Sequence, residues 1–201
     1  REATPGSTVI RGDLIDLLVE RLGATRYLEI GVNEGVTFDR IRCPIRVGVD
    51  PGSSKATVHA TSDHYFERLI AESTRFDLVF VDGLHTEEQV VRDVENALAH
   101  LSDGGAVVVH DCNPPTETYT HPARCGSVYR GWIELRRRYP DLLSVVVDID
   151  LGCGVLIPSR RSVSAEIPSP ADWTEFEACR VQALGLVSWT EFLELVPAAA
   201  T

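Results

Sequence analysis

Tyr27-Leu-Glu-Ile-Gly-Val-Asn-Glu-Gly35 is a short apolar run that contains an acidic residue and breaks into two glycines. A second apolar run, Arg46-Val-Gly-Val49, ends at Asp50, nineteen residues after Gly31. A strand ending in glycines, a helix, and a second strand ending in a carboxylate are typical of a βαβ unit that binds a nucleotide cofactor. The sequence therefore predicts a strand over residues 27–31, a helix over about 35–42 and a strand over 46–50.

The glycine spacing distinguishes between classes of cofactor. A dinucleotide motif G-x-G-x-x-G counted from Gly31 requires glycine where Asn33 and Val36 stand, so the motif fails at both positions. The looser pattern of Glu29, Gly31 and Gly35 resembles the first motif of class I S-adenosylmethionine-dependent methyltransferases. The second strand of those enzymes also ends in an acidic residue, as this one does at Asp50.

The rest of the chain alternates between helical and strand patterns, which predicts an α/β fold with a mostly parallel sheet. The late strands are joined by a short segment, which predicts a hairpin and one antiparallel strand. A Rossmann-like, seven-stranded sheet with this ending and helices on both faces resembles class I methyltransferases. The predicted elements after residue 50 are a short strand near 56–60, a helix over 63–73, a strand over 76–82, a helix from Thr86 to about His100, a turn at 102–105, a strand over 106–110, a helix through Arg138, and strands over 143–148 and 153–157; a helix over 8–22 precedes the first strand.

The composition indicates one globular domain with a C-terminal extension. We expect a cofactor-binding domain over residues 1–157, a proline- and serine-rich linker over 158–170, and a helical extension over 171–201. The extension is rich in aromatic residues, so we expect it to pack on the same domain or on a second subunit in a homodimer.

Charge and cysteine content exclude several classes of function. A net charge of −11 repels polyanions and disfavours nucleic acid as a partner. No apolar run approaches the roughly 20 residues that span a bilayer, and the N-terminus has no secretory pattern, so we expect a soluble cytoplasmic protein without membrane contact. The five cysteines are odd in number and lack C-x-x-C spacing, which disfavours a disulfide framework or a structural zinc site.

Polar residues follow two strands that we expect to be neighbours in the sheet. Asp82 and His85 come after one strand, and His110 and Asp111 end the next. Ligands of open α/β sheets bind beyond the carboxyl ends of the strands, so we expect these four side chains to converge there. Imidazole with an ordinary pKa of about 6.5 suits a general base near neutral pH. We favour His110 slightly over His85 in that role.

A divalent metal is the alternative use of this group. Asp82, Asp111 and a third oxygen or imidazole ligand could hold an ion that lowers the pKa of an acceptor hydroxyl. Metal-dependent catechol-type O-methyltransferases resemble this layout, with Asp-Asn or Asp-Asp after the fifth strand. Here the pair is Asp111-Cys112, and a thiol is a poor ligand for magnesium.

Serial motifs over residues 8–157 resemble the bacterial methyltransferase-24 family of class I methyltransferases. The motifs are Tyr27–Gly35, Val47–Pro51, Thr61–Phe66, Val81–His85, His110–Pro114 and Gly126–Trp132. The resemblance implies cofactor contacts at Glu29, Gly31, Asn33 and Gly35, ribose contacts at Asp50, adenine-side contacts at Ser62 and Asp63, and Asp82 near the methionine moiety. It also implies that His85, His110 and Asp111 face the methyl acceptor. A helix N-cap is the alternative role of Ser62.

Three functions remain open at this point. The first is an S-adenosylmethionine-dependent methyltransferase acting on a small molecule, with O-methylation of a sugar or natural-product hydroxyl favoured over an amine. The second is an NAD(P)-dependent oxidoreductase or nucleotide-sugar enzyme, against which the missing glycines at 33 and 36 argue. The third is a non-catalytic domain that holds the cofactor.

Overall fold

The computed structural model of the protein describes residues 9–69, 73–161 and 166–197. No helix in these ranges is long and apolar enough to cross a membrane. The strands are β1 Arg26–Ile30, β2 Ile45–Val49, β3 Phe76–Val81, β4 Leu101–Val109, β5 Leu142–Val147, β6 Cys153–Arg161 and β7 Leu186–Val187. The helices are α1 Arg11–Leu22, α2 Ser62–Leu69, α3 Glu87–Ala99, α4 Val128–Arg138, α5 Trp173–Leu184 and α6 Trp189–Leu195, with a short 3₁₀ helix over Glu117–Thr120.

The strands form one sheet in the order β2-β1-β3-β4-β6-β5-β7. β6 runs antiparallel to both of its neighbours, while the other pairs are parallel. The predicted α/β class, the mostly parallel sheet and its antiparallel strand are therefore confirmed. The strand predicted near 56–60 is wrong, because that segment makes only a single bridge from Val58 to Val49. The seventh strand is β7, which comes from the C-terminal extension.

The helix predicted over 35–42 is also wrong, since this segment is a series of turns. Arg46 donates from one guanidinium nitrogen to the carbonyls of Phe38 and Ile41, at 2.6 and 3.1 Å. Those carbonyls therefore accept from a side chain and not from the N–H groups of a following helical turn. Pro44 lacks a backbone N–H, so a helix could not continue through it. Phe38 and Ile41 are nevertheless buried in the core.

The turn predicted at 102–105 is an irregularity within β4. Leu101 pairs with Phe76 and Ala106 pairs with Leu78, so β4 carries extra residues between these two positions. A Cβ at Gly105 would lie 2.7 Å from the carbonyl oxygen of Asp77, so only glycine fits beside the backbone of β3 here. The helix predicted to end at residue 73 is described as far as Leu69, because residues 70–72 lie outside the described ranges.

The C-terminal extension packs on both faces of the sheet. The predicted linker begins at residue 158, but β6 continues to Arg161. Residues 162–165 of that linker lie outside the described ranges. Phe176 and Leu184 of α5 join the core cluster that contains α3 and α4, whereas Phe192 of α6 joins the cluster that contains α1. The extension is therefore an integral part of the described core.

Arg136 of α4 joins the extension to the sheet. Its guanidinium is buried and donates to the carbonyls of Ser144, Gln182 and Ala183, at 3.2, 2.8 and 2.5 Å. Two of these carbonyls belong to the last turn of α5, where a cation also interacts favourably with the helix dipole. No carboxylate of the described chain pairs with it, and burial lowers the pKa of Arg136 to about 10.

We expect Arg136→Met to lower the free energy of unfolding by roughly 2–4 kcal/mol, because it removes the side-chain donor that three carbonyls share. Urea unfolding measures the loss, and limited proteolysis reports exposure of the junction between α5 and α6. Arg137→Met is the matched control, since Arg137 is exposed on the same helix and its change should stay within about 0.5 kcal/mol. Equal stability of the two variants would contradict this role of Arg136.

A second buried polar contact lies inside β1. The hydroxyl of Tyr27 donates to Glu29 Oε2 at 2.5 Å, and both side chains are almost completely buried. Burial disfavours the carboxylate more than this hydrogen bond favours it, and the pKa of Glu29 is raised to about 8. Because the folded-state pKa lies above the unfolded-state value, the contribution of Glu29 to stability is present at acidic pH and lost as pH rises through about 8.

Glu29→Gln keeps an acceptor for Tyr27 and cannot ionise. We therefore expect the unfolding free energy of this variant, relative to wild type, to increase between pH 5 and pH 9. Thermal unfolding at both pH values measures the difference. Glu20→Gln, at an exposed position on α1, is the control for general charge effects. A difference between Glu29→Gln and wild type that does not change with pH would show that Glu29 is ionised throughout.

Candidate active site

A cleft of about 840 Å³ opens beyond the carboxyl ends of β1, β2, β3 and β4. The loops after β1 and β2 and the start of α2 line one end. The loops after β3 and β4, together with Tyr119, Ala123 and Arg124, line the other end. This is the edge at which parallel α/β sheets bind their ligands. The convergence of Asp82, His85, His110 and Asp111 predicted from the sequence is present at this edge.

Gly31 allows β1 and β3 to approach each other closely at the cleft. It has φ 86°, and a Cβ at this position would lie 2.0 Å from the carbonyl oxygen of Asp82. A side chain would therefore separate the two strand ends. Gly31 also lines the cleft, so its backbone is open to a ligand.

Asp50 connects the loops after β1 and β2. Its carboxylate accepts the backbone N–H groups of Asn33, Gly52 and Ser53, at 2.9, 2.8 and 2.9 Å. Burial disfavours the charge, but these bonds outweigh it and hold the pKa of Asp50 below its usual value. Asn33 itself has φ 49°, a conformation that asparagine adopts more readily than most residues. Both residues line the cleft.

Ser62 and Asp63 line the cleft from the first turn of α2. The amide of Gln89 donates to both, at 3.2 and 3.1 Å, and Arg92 pairs with Asp63 at 3.0 Å. Thr61 rather than Ser62 caps the helix, because the Thr61 hydroxyl accepts the N–H of His64.

Two of the predicted cofactor residues do not line the cleft. Glu29 points into the core toward Tyr27, on the same face of β1, because side chains two apart on a strand share a face. Gly35 lies beside Lys55 and Asp39, with φ 79°, so it provides a turn and no approach of a helix to a ligand.

His110 is engaged at both ring nitrogens. Nε2 lies 2.7 Å from the carbonyl oxygen of Asp150, which can only accept, so Nε2 donates. Nδ1 lies 3.2 Å from Asp82 Oδ1. Burial disfavours the charged ring, but the contacts with Asp150 and Asp82 outweigh it and raise the pKa of His110 to about 10. His110 is thus an imidazolium with no lone pair to accept a proton, and the hypothesis that it is the base loses its support.

His85 has a different arrangement. Nδ1 donates to the carbonyl of Arg124, and Nε2 lies 3.4 Å from both Asp82 Oδ1 and Asp111 Oδ2. The hydrogen bond that His85 donates to Asp82 is the main cause that raises the pKa of His85, against the effect of burial. Burial also disfavours the charge of Asp82, but hydrogen bonds from His110 and His85 outweigh it and hold the pKa of Asp82 well below its usual range.

Asp82, His85 and Asp111 form a group whose ligand atoms lie within 4.8 Å of one another. The hydrogen bond from Nδ1 of His85 to a carbonyl orients Nε2 toward the two carboxylates, as is usual for a histidine that binds metal. Asp111 has φ 63°, and its Oδ1 accepts the thiol of Cys125, which leaves Oδ2 on the side of His85. These residues therefore fit a divalent cation with mixed nitrogen and oxygen ligands.

The side chain of Cys112 takes no part in this group. It is fully buried and its sulfur lies 3.5 Å from the carbonyl oxygen of Val109. The imidazole of His85 is the third side chain of the group that could hold a metal ion.

Sequence reasoning missed Gln89 and Asp150. Gln89 lies on the buried side of α3, and Asp150 reaches His110 only because the hairpin between β5 and β6 folds over the strand end. Neither position carries a local signal of its role.

A comparison with known protein families matches the part of the chain that contributes most polar residues to the cleft. A family model described as a methyltransferase domain, the methyltransferase-24 model, matches residues 50–112. The match contains Asp50, Ser62, Asp63, Asp82, His85, His110 and Asp111. No curated protein matches the sequence.

Several solved O-methyltransferase structures share the fold. One is an O-methyltransferase from Bacillus cereus in complex with S-adenosylhomocysteine, 18% identical, covering 78% of this chain and 81% of that chain with a TM-score of 0.54. A second is TomG from Streptomyces achromogenes in complex with S-adenosylmethionine. It is 20% identical and covers 77% of this chain and 83% of that chain, with a TM-score of 0.56. A third is a putative caffeoyl-CoA O-methyltransferase from Staphylococcus aureus, 17% identical, covering 76% and 85% with a TM-score of 0.57.

At these identities the structural matches establish the fold, while the family model adds a match in sequence. The chain has the fold of the class I S-adenosylmethionine-dependent methyltransferases, and its resemblance to the methyltransferase-24 family is confirmed over residues 50–112.

Proposed function

We propose that this protein is an S-adenosylmethionine-dependent methyltransferase that methylates a hydroxyl group of a small molecule. One observation carries the proposal. A single cleft holds both Gly31 and Asp50 and the group of Asp82, His85 and Asp111. The first pair suits a nucleoside cofactor, and the second group suits a hydroxyl that must lose a proton.

The cofactor occupies the end formed by the loops after β1 and β2. Asp50 accepts hydrogen bonds from the ribose hydroxyls with the lone pairs that the backbone leaves free. Ser62 and Asp63 contact the adenine, and the backbone at Gly31 lies against the methionine moiety next to Asp82. Glu29 acts indirectly, through the core beneath these loops, which revises its expected role as a cofactor contact.

Methyl transfer is an in-line displacement. The acceptor oxygen forms a bond to the methyl carbon while the carbon–sulfur bond breaks, and its electron pair remains on the sulfur of S-adenosylhomocysteine. Because the thioether is already a good leaving group, alignment of the two substrates and exclusion of water account for most of what the protein must do. The hydroxyl proton is the remaining requirement.

The group of Asp82, His85 and Asp111 meets that requirement. It would hold a divalent metal, which lowers the pKa of a hydroxyl bound to it. Without metal, Nε2 of His85 still lies 3.4 Å from both carboxylates, and the side chain of His85 is more exposed than that of His110. His110 holds Asp82 in place by a hydrogen bond and does not exchange protons with the acceptor.

The partner is a small-molecule acceptor, and the net charge of −11 disfavours nucleic acid. Cytoplasmic location is part of the proposal, supported by five cysteines that are all free thiols. Assembly into a homodimer stays a prediction from the aromatic extension.

Calorimetric titration tests the cofactor. We expect S-adenosylhomocysteine to bind and NAD to give no heat. Asp50→Asn should weaken S-adenosylhomocysteine by roughly 10- to 100-fold, because a charge-assisted hydrogen bond to ribose is lost. Asp39→Asn is the control, since Asp39 is an exposed carboxylate that bonds Lys55 outside the cleft. Binding of NAD without S-adenosylhomocysteine would favour the oxidoreductase.

Metal removal tests the acceptor end. We expect EDTA to abolish turnover and Mn²⁺ to restore it, and we expect Mn²⁺ to raise the melting temperature of the metal-free protein. His85→Ala and Asp111→Asn should lose this thermal shift. His64→Ala is the control, because His64 is exposed on α2. Full turnover after chelation, with no shift on adding Mn²⁺, would remove metal from the proposal.

A further inference from the structure

The rim of the cleft beside His85 carries a positive side chain, whereas the charged side chains elsewhere in the lining are aspartates and His110. Four aspartates line the cleft, Asp50, Asp63, Asp82 and Asp111, and Arg124 is the one arginine or lysine among the lining residues of the described chain. Its backbone carbonyl accepts Nδ1 of His85, so Arg124 lies at the acceptor end and away from Asp50. It therefore adds an exposed positive charge to the acceptor end, besides the buried imidazolium of His110.

The side chain of Arg124 is held in place without being neutralised. Its guanidinium carbon lies 4.5 Å from the centre of the Tyr119 ring, and no carboxylate of the described residues forms an ion pair with it. Stacking fixes the plane of a guanidinium but leaves its N–H edges free, and those edges match the geometry of a carboxylate or phosphate. Tyr119 also lines the cleft and presents an aromatic surface beside the cation.

Two leucines complete this rim. Leu84 is 64% exposed and Leu151 is 37% exposed, and both line the cleft. Large exposed apolar side chains grouped in a cleft are typical of a ligand contact surface. Together with Tyr119 they form an apolar border around the position of the acceptor.

Leu151 is held there against its backbone preference. Asp150 and Leu151 have φ 44° and 65°, and the N–H of Gly152 donates to the carbonyl of Ile149 at 2.7 Å, which closes the turn. Asparagine and glycine are the residues that favour such a turn, and leucine is not. Arg11 and His110 both bond Asp150 and so keep the turn in this conformation. Strain maintained by surrounding contacts is concentrated at functional positions.

The geometry points to an acceptor with an apolar, planar body and an anionic group. The body lies between Tyr119, Leu84 and Leu151, and the carboxylate or phosphate pairs with Arg124. This inference rests on the proposed methyl transfer and narrows its acceptor to hydroxyaryl acids or phosphates, in place of neutral sugars.

Binding to the protein saturated with S-adenosylhomocysteine tests the inference. The probes are 4-hydroxybenzoate, its uncharged amide of the same shape, and 4-hydroxyphenyl phosphate. We expect at least one anionic probe to bind about tenfold more tightly than the amide, and Arg124→Gln to remove that preference. Whichever of the two anionic probes binds more tightly shows whether the site prefers a carboxylate or a phosphate. Arg42→Gln is the control, because Arg42 is exposed and lies outside the cleft.

The outcomes separate this inference from the proposed function. If S-adenosylhomocysteine itself does not bind, the proposed function fails. If it binds but the anions bind no better than the amide, or if Arg124→Gln keeps their preference, the inference alone is overturned. A loss of S-adenosylhomocysteine affinity in Arg124→Gln would assign the arginine to the cofactor and would overturn it as well.

Leu151→Gly provides an independent measurement. Glycine relieves the left-handed backbone, so we expect the melting temperature to stay the same or rise while the affinity for the anionic probe falls several-fold. Val181→Ala, at an exposed apolar position on α5, should leave that affinity unchanged. Unchanged probe affinity in Leu151→Gly would show that the leucine is not part of the acceptor site.

Discussion

The buried imidazolium of His110 holds three separate parts of the chain together. It bonds Asp82 at the end of β3, it belongs itself to the end of β4, and it donates to the carbonyl of Asp150 in the hairpin between β5 and β6. A charge in this position costs free energy unless each N–H has a partner, and here each has one. The positions of Asp82, and through it His85, depend on this bonding.

Arg11 extends the same network to the beginning of α1. Its backbone N–H and its guanidinium both donate to Asp150, at 3.1 and 2.9 Å. Helix α1 covers the face of the sheet opposite α3 and α4. The hairpin is therefore bonded both by Arg11 at the start of α1 and by His110 at the end of β4. A rigid hairpin at the border of the cleft gives the acceptor a defined surface and lets the ligand bind without ordering a loop.

The sequence predicts the sheet well, because long apolar runs such as Phe76–Val81 have no other stable place than a central strand. It fails where a side chain competes for backbone groups, as when Arg46 bonds the carbonyls of Phe38 and Ile41. The site follows the same division. The strand-end positions of Asp82 and Asp111 follow from the topology alone. The protonation of His110 could not be predicted, because its partner Asp150 follows forty residues later in the chain.

The pairing of β7 with β5 has a consequence for the growing polypeptide. During synthesis, β5 is translated well before Leu186 and Val187 and remains an open edge with unpaired N–H and C=O groups. Exposed edges of this kind pair with other nascent chains and start aggregation. Strand β7 therefore covers the edge of the sheet only after it is translated, and the interval before it emerges from the ribosome is when this protein is most exposed to misassembly.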